Sequence, residues 1–128
     1  MRFSRKQKVA FTWIGALFLL ANLVALYFFG FIDFMNPEKS LNSPNESDRF
    51  DALVYIANQG MEGSRWQSLV IDTLDNDPSP DIREMSVITL RELGETTAAK
   101  QALKKSLKTE KEPSVQSAIR QLIQQWEP

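Results

Sequence analysis

The chain has 128 residues, with 15 basic and 16 acidic side chains and neither cysteine nor histidine. The lack of these two residue types excludes a cysteine nucleophile, a Ser-His-Asp triad and a zinc ion bound by histidine or cysteine. The length leaves room for one small folded domain beside a membrane segment.

Residues 9–32 form the longest apolar segment and contain no charged side chain. A transmembrane helix needs about 20 mostly apolar residues. The segment is longer than the roughly 7 to 15 apolar residues of a cleavable signal peptide, and no small-residue cleavage site follows it. We therefore predict an uncleaved, single-pass transmembrane helix over residues 9–32, surrounded by the lipid bilayer.

Basic residues precede this segment and are almost absent just after it, where Lys39 is the nearest. The basic residues of the tail, residues 1–8, are Arg2, Arg5, Lys6 and Lys8. Because positive charge stays on the cytoplasmic side, these four side chains determine the topology. We predict a cytoplasmic tail, a location in the plasma (inner) membrane and an extracytoplasmic C-terminal domain, periplasmic in a bacterium.

One polar residue, Asn22, lies near the middle of the apolar segment. Intramembrane polar side chains often mark contacts between helices, and small residues let a second helix approach closely. The helix face around Asn22 also carries Thr12, Gly15, Leu19 and Ala25. This face is a candidate packing surface for another transmembrane helix. The alternative is a single tolerated asparagine in a lipid-facing anchor.

The remainder of the chain is acidic, since residues 33–128 contain 11 basic and 16 acidic residues. This balance argues against a nucleic-acid partner, whose phosphates require Lys and Arg. Residues 33–46 are rich in Pro, Ser and Asn, which is typical of a linker. The predicted organisation is a tail (1–8), a transmembrane helix (9–32), a linker (33–46) and a folded domain (47–128).

From Ser47 onward, apolar residues recur at helical spacing and no stretch alternates with period two. The first helix is predicted to bury Phe50, Leu53, Val54 and Ala57. Ser64 is predicted to cap the second helix. The third is predicted from Pro80 to Leu93, the fourth over about 96–108 and the fifth from about 113. The predicted fold class is all-α, with one transmembrane helix and a short solenoid of about five helices.

A shift of 33 residues superimposes the last two helix pairs. It places Leu74 on Leu107, Pro80 on Pro113 and Leu90 on Ile123. Each unit is a helix, a proline-containing turn and a second helix. Such units bury their apolar faces by stacking on their neighbours.

The better unit resembles a HEAT-like repeat of the short, phycobilisome-lyase type, and the resemblance covers about residues 47–126, or roughly two and a half repeats. The residues that carry this resemblance are Leu74-x-x-Asp77, Asp81-Ile82-Arg83 and Leu90-x-x-Leu93-Gly94, with Asp77, Ile82, Arg83 and Leu90 as the repeat motif. The last unit departs from the pattern at Gln116, which replaces the arginine, and at Ile119, which replaces a small residue. The resemblance implies contact with protein partners through an extended surface.

Two charged clusters are candidate sites. Lys100, Lys104, Lys105 and Lys108 share a helix face and, with Trp126, are candidates for contact with an acidic partner or anionic lipid. The alternative for the lysines is an ordinary solvated surface, and the alternative for Trp126 is a place in the core. Acidic residues around the turn at Asp77 do not follow the spacing of a calcium loop, so capping and turn formation explain them better.

We therefore predict no enzymatic activity, and no catalytic, cofactor-binding or metal-binding residue. The predicted function is that of a membrane-anchored interaction or scaffold protein whose helical repeats dock onto a partner protein. The alternative is an accessory subunit of a multi-subunit membrane complex, bound through both the transmembrane helix and the domain. A lyase-like enzyme is a remote third alternative, and no small-molecule substrate is indicated.

Overall fold

The computed structural model describes residues 17–25 and 36–128, and the chain divides after Met35 into two compact units. In the first unit, residues 17–25 are helical (α1) and exposed. Among the residues described, no helix is both long and apolar enough to cross a membrane. Most of the predicted transmembrane helix lies outside these residues, as do the basic tail, Thr12 and Gly15.

Asn22 satisfies part of its hydrogen-bonding capacity within α1. Its side-chain Nδ2 donates to the carbonyl oxygen of Phe18 at 2.8 Å. This contact with the preceding turn lowers the cost of placing the amide in apolar surroundings. The packing face around Asn22, which also includes Leu19 and Ala25, stays a prediction.

All regular secondary structure in the second unit is helical. Its elements are α2 (Pro37–Leu41), α3 (Glu46–Asn58), a 3-10 helix (Gly60–Trp66), α4 (Gln67–Asn76), α5 (Pro80–Leu93), α6 (Thr97–Thr109) and α7 (Pro113–Trp126). They form three successive pairs: α2 with α3, α4 with α5, and α6 with α7. Residues 17–25 and 36–128 contain no strand, so the predicted all-α class is confirmed.

Local sequence explains where most of these helices begin and end. Proline occupies the first position of α2, α5 and α7, where its missing N–H leaves no hydrogen bond unmade. Gly94 follows α5 with φ of 96°, a conformation that favours glycine. Thr96 caps α6 by accepting a hydrogen bond from the backbone N–H of Ala99 at 3.1 Å.

The core lies between the first helices of the pairs (α2, α4, α6) and the second helices (α3, α5, α7). Its fully buried residues include Leu53, Val70, Ile82, Leu90, Leu103 and Ile119. The buried hydroxyl of Thr89 in α5 lies within hydrogen-bond distance of two carbonyl oxygens, that of Met85 in its own helix at 2.9 Å and that of Leu53 in α3 at 3.3 Å. Each pair thus buries its apolar face against the next one, as expected of stacked repeats.

The buried face of α3 differs from the predicted one. The buried residues are Arg49, Ala52, Leu53 and Ile56, whereas the predicted Phe50 is 42% exposed. The prediction is confirmed for Leu53, whereas Phe50 is exposed and Val54 and Ala57 are only partly buried, because the helix is turned so that Arg49 also faces the core. Arg49 is buried because an acidic side chain from the next pair neutralises it.

The start of the second pair also differs. Ser64 does not cap a helix, because it lies within the 3-10 helix and α4 begins only at Gln67. The tighter helix brings Gly63 against α3 and α5, where a Cβ atom would lie 2.7 Å from Leu93 Cδ2 and 2.9 Å from the carbonyl oxygen of Ile56. A side chain at position 63 would therefore collide with α3 and α5 in this conformation.

The second unit begins at Asn36, inside the segment predicted as a linker. Pro37 and Leu41, four positions apart, are both buried, and α2 packs on α3. A short helix with two apolar residues on one face is therefore enough to form the first member of the first pair. The result is three helix pairs instead of the roughly two and a half that the sequence indicates.

Candidate interaction surfaces

Two partly buried ion pairs join the three helix pairs. Nε and Nη2 of Arg49 donate to the carboxylate of Asp77 at 2.8 and 3.1 Å. Nε and Nη2 of Arg83 donate to the carboxylate of Glu110 at 2.8 and 3.0 Å. In both cases an arginine in the second helix of one pair binds a carboxylate in the turn of the following pair. The two parallel hydrogen bonds have the bidentate geometry that suits guanidinium and carboxylate. We call this pair of contacts the arginine ladder.

Each arginine of the ladder also donates a hydrogen bond to the backbone of the turn in its own helix pair. Nη1 of Arg49 donates to the carbonyl oxygen of Ser43 at 3.0 Å, and Nη1 of Arg83 donates to that of Asp77 at 2.9 Å. Gln116 makes the equivalent contact in the third pair, with Nε2 donating to the carbonyl oxygen of Glu110 at 2.6 Å. The departure at Gln116 therefore preserves the contact within the pair and loses only the contact to a further pair.

The ladder ends within this unit at both sides. The position of Asp77 and Glu110 is occupied by Ser43 in the first pair, which supplies no carboxylate to an earlier arginine. In the last pair Gln116 supplies no charged donor to a later turn. The ladder therefore joins the three described pairs, and the outer sides of their helices, which we call the lateral faces, lie outside it.

The electrostatics of the ladder are clearest at Glu110. The Arg83 guanidinium, together with the backbone N–H groups of Glu112 and Lys111, lowers the pKa of the Glu110 carboxyl to about 2. The same hydrogen bonds to carboxylates raise the pKa of Arg49 and of Arg83. The pair of Arg83 and Glu110 is therefore charged throughout the neutral and mildly acidic range.

Acidification is expected to lower the free energy of unfolding of the domain because Glu110 becomes protonated. Its folded pKa of about 2 lies below its ordinary value of 4.5, so its contribution is complete above pH 4.5 and is lost as the pH falls toward 2. Relative to a Glu110→Gln variant, the wild-type protein should lose about 2 kcal/mol of its free energy of unfolding between pH 7 and pH 3. Urea denaturation at several pH values measures this difference, with the exposed substitution Glu62→Gln as control. A constant difference between wild type and Glu110→Gln would contradict the assignment.

Sequence reasoning missed the first rung of this ladder. Arg49 lies 34 residues before Arg83, whereas the spacing between the last two pairs is 33. The same 34-residue spacing relates Gly60 to Gly94, and both glycines have positive φ. Allowing one inserted residue in the repeat would have aligned the first pair and assigned Arg49 its role.

The lysine face of α6 is largely neutralised. Nζ of Lys100 lies 2.6 Å from Glu95, Nζ of Lys104 lies 2.7 Å from Glu127 and Nζ of Lys105 lies 2.7 Å from Asp75. Lys108 is exposed at the end of the helix. Exposed ion pairs of this kind contribute little to stability, but they reduce the positive field that the four lysines would otherwise present.

Asp77 and two other acidic residues near it, Asp72 and Asp75, are engaged in contacts within the protein. Asp77 accepts from Arg49 and from the backbone N–H of Ser79 at 2.9 Å, and Asp72 accepts from Asn76 at 2.7 Å. Within the described residues, no group of three His, Cys, Asp or Glu side chains is placed to hold a metal ion. Turn formation and cohesion between repeats account for this cluster.

A shallow groove of about 220 Å³ runs between the second helices α5 and α7. Val87 and Leu122 form its buried floor, while Glu84, Ile88 and Gln125 stand at its sides. The groove combines an apolar floor with polar rims, which is the general composition of a protein contact surface.

Trp126 lies at the end of α7 and is half-buried against the core. The other motif residues are structural: Ile82 and Leu90 are fully buried, and Asp77 and Arg83 each belong to one ion pair of the ladder. The structure thus brings the motif residues together at the stacking interfaces and leaves Lys108 and part of Trp126 accessible.

A protein-family model described as HEAT repeats matches residues 38–124. The match starts within α2, before the predicted domain boundary at Ser47, and therefore includes the first helix pair. Comparisons with curated proteins and with solved structures give no significant match.

Proposed function

Because the chain belongs to the HEAT-repeat family, we propose that it is a membrane-anchored scaffold whose repeat domain docks onto a partner protein. HEAT repeats generally serve protein–protein interaction and scaffolding. The observation that carries the proposal is the arginine ladder, which fixes three helix pairs in one register and ends within the unit. The exposed lateral faces of these pairs are then rigid surfaces for a partner.

The anchor is the second part of the proposal. The uncharged segment 9–32 and the basic tail before it support a single-pass helix with the repeat domain on the extracytoplasmic side. The mechanism is binding and positioning, without covalent chemistry. The closer resemblance to repeats of the phycobilisome-lyase type belongs to this proposal as well, and it rests on the motif around Asp77 and Arg83.

Recovery of a partner tests the docking proposal. We expect the full chain, tagged at its C-terminus and extracted in mild detergents, to co-purify with a stoichiometric protein partner that mass spectrometry identifies. A matched sample of the Glu84→Lys variant reverses one charge at the side of the groove between α5 and α7. It tests whether that groove takes part in binding the partner. Recovery of the chain alone in every mild detergent would contradict the proposal.

The alternative of an accessory subunit makes a different prediction for the span. If the face around Asn22 packs on a partner helix, replacing residues 9–32 with a leucine helix of equal length should abolish recovery of the partner. The single substitution Asn22→Leu should weaken recovery, whereas Leu23→Ala on another face should leave it unchanged. Full recovery with the leucine helix would leave the repeat domain as the docking element and reject the role of Asn22.

A further inference from the structure

The groove between α5 and α7 is partly apolar on the side that faces solvent. It is lined by Val87 and Ile88 from α5 and by Ala118 and Leu122 from α7. Val87 and Leu122 are buried, whereas Ile88 and Ala118 are partly exposed. Apolar side chains of two second helices therefore remain within reach of another molecule.

The junction between α3 and α5 repeats this arrangement. The 34-residue shift that relates the two arginines of the ladder also places Leu53 on Val87, and a shift of 33 places Thr89 on Leu122. Leu53 and Thr89 meet across their junction, since the Thr89 hydroxyl lies 3.3 Å from the carbonyl oxygen of Leu53. The two junctions therefore present equivalent positions to solvent.

The equivalent positions of the first junction are also apolar. Phe50 and Val54 of α3 correspond to Glu84 and Ile88 of α5, and Phe50 is 42% exposed. Apolar residues thus continue across all three second helices, and contiguous apolar patches of this kind mark interaction sites. We call the following residues the apolar stripe: Phe50, Val54, Met85, Ile88 and Ala118.

The stripe has the length of a short helix. α5 packs on both α3 and α7, and packed helices lie about 8–10 Å apart, so the axes of α3 and α7 are roughly 16–20 Å apart. A helix that rises about 1.5 Å per residue covers this distance with about 11 to 14 residues. An amphipathic helix of that length can place one apolar face along the stripe.

Carboxylates without a partner flank the stripe at α3 and α5. Asp51 lies three residues before Val54, while Asp81 and Glu84 lie seven and four residues before Ile88. These spacings place the carboxylates on the same side of their helices as the stripe. Within the described residues, none of the three carboxylates makes a side-chain hydrogen bond or an ion pair.

Basic side chains do not offset this negative charge. Arg91 lines the groove but already pairs with Glu92 at 2.9 Å. The residues that α7 contributes to the groove, Gln121 and Gln125 among them, are uncharged. The surface is therefore acidic at α3 and α5 and neutral at α7, which favours a cationic partner. A symmetric dimer through the stripe would bring like charges together, which opposes a second copy of this chain as the occupant.

We propose that the apolar stripe binds a basic amphipathic helix of the partner protein, with the apolar face of that helix on the stripe. Its lysine or arginine residues lie toward Asp51, Asp81 and Glu84. The inference rests on the proposed docking function and adds the chemistry of the partner to it. The uncharged side chains of α7 give the bound helix a direction, with its basic residues concentrated over α3 and α5.

A designed peptide tests the inference. The probe is a fluorescent helix of about 14 residues with leucine along one face and lysine on the other, and the matched peptide carries glutamate in place of every lysine. The full chain is held in nanodiscs of phosphatidylcholine, and the signal of empty nanodiscs is subtracted. We expect fluorescence anisotropy to show at least about tenfold tighter binding of the lysine peptide. Equal affinities for the two peptides, or no binding of the lysine peptide, would overturn the inference.

Two variants with matched controls locate the binding. Phe50→Ala should weaken binding of the lysine peptide at least about fivefold, whereas Met61→Ala, which removes another exposed large hydrophobic side chain, should leave it unchanged. Glu84→Lys should weaken binding about fivefold, and Glu62→Lys, which makes the same change of charge at a side chain without contacts, should not. Equal effects of each variant and its control would place the peptide elsewhere and reject the stripe.

The same variants separate this inference from the docking proposal. Recovery of a protein partner that neither Phe50→Ala nor Glu84→Lys affects would overturn the stripe as the binding site and leave the scaffold function in place. Recovery of the chain alone would reject the docking function, and the inference with it. A chain that is dimeric in detergent and becomes monomeric with Phe50→Ala would identify a second copy as the occupant, which also overturns the inference.

Discussion

Replacing Arg83 with methionine is expected to lower the free energy of unfolding by about 3 kcal/mol. The substitution keeps a long side chain but leaves the Glu110 carboxylate, which is 4% exposed, without its partner. It also removes the donor to the carbonyl oxygen of Asp77. Because a buried charge without a partner is far less stable than a solvated one, the loss exceeds that of a surface ion pair. Urea denaturation of the full chain in detergent measures the effect.

Arg91→Met is the matched control for this experiment. Arg91 lies on the same helix and pairs with Glu92 at 2.9 Å, but both side chains are about half exposed. Pairs of that kind contribute about 0.2 to 1 kcal/mol. Equal losses for Arg83→Met and Arg91→Met would show that the ladder is no more important than an ordinary surface contact.

Gly63→Ala is expected to cost about 2 kcal/mol of unfolding free energy. The added methyl group would lie 2.7 Å from Leu93 Cδ2 and 2.9 Å from the carbonyl oxygen of Ile56. The Leu93 side chain can rotate away, but the carbonyl oxygen belongs to the backbone of α3 and cannot. The 3-10 helix must therefore move off α3 and α5, which loosens the contact between the first two pairs.

The neighbouring substitution Ser64→Ala serves as control, and it separates two interpretations of this segment. If Ser64 capped a helix, its loss would cost about 1 kcal/mol. In the structure Ser64 is exposed inside the 3-10 helix, so we expect a change below about 0.5 kcal/mol. A large loss for Ser64→Ala with none for Gly63→Ala would support the cap and reject the packing of the glycine.

These two sites show how the domain obtains a rigid shape from side-chain packing and charge pairing. The arginine ladder fixes the pairs at their turns, and Gly63 brings the first two pairs together near the C-terminal ends of α3 and α5. Rigid stacking holds the lateral faces in one arrangement before a partner binds, which reduces the entropy lost on binding.

Local signals in the sequence determined most of the helices. Pro80 and Gly94 define α5 because each has a backbone preference that acts at its own position, and Pro113 defines the start of α7 in the same way. The family assignment also follows from local spacing, since helical periodicity and the repeat of 33 residues need no knowledge of tertiary contacts.

Tertiary structure decided the features that depend on residues far apart in the sequence. Arg49 is buried because Asp77, 28 residues later, neutralises it. Gly63 must remain a glycine because α3 and α5 meet there, and the lysines of α6 lose much of their field because acidic residues approach from other elements. A pattern of apolar residues records none of these pairings, because whether a charge is buried or solvated depends on the partner that folding brings to it.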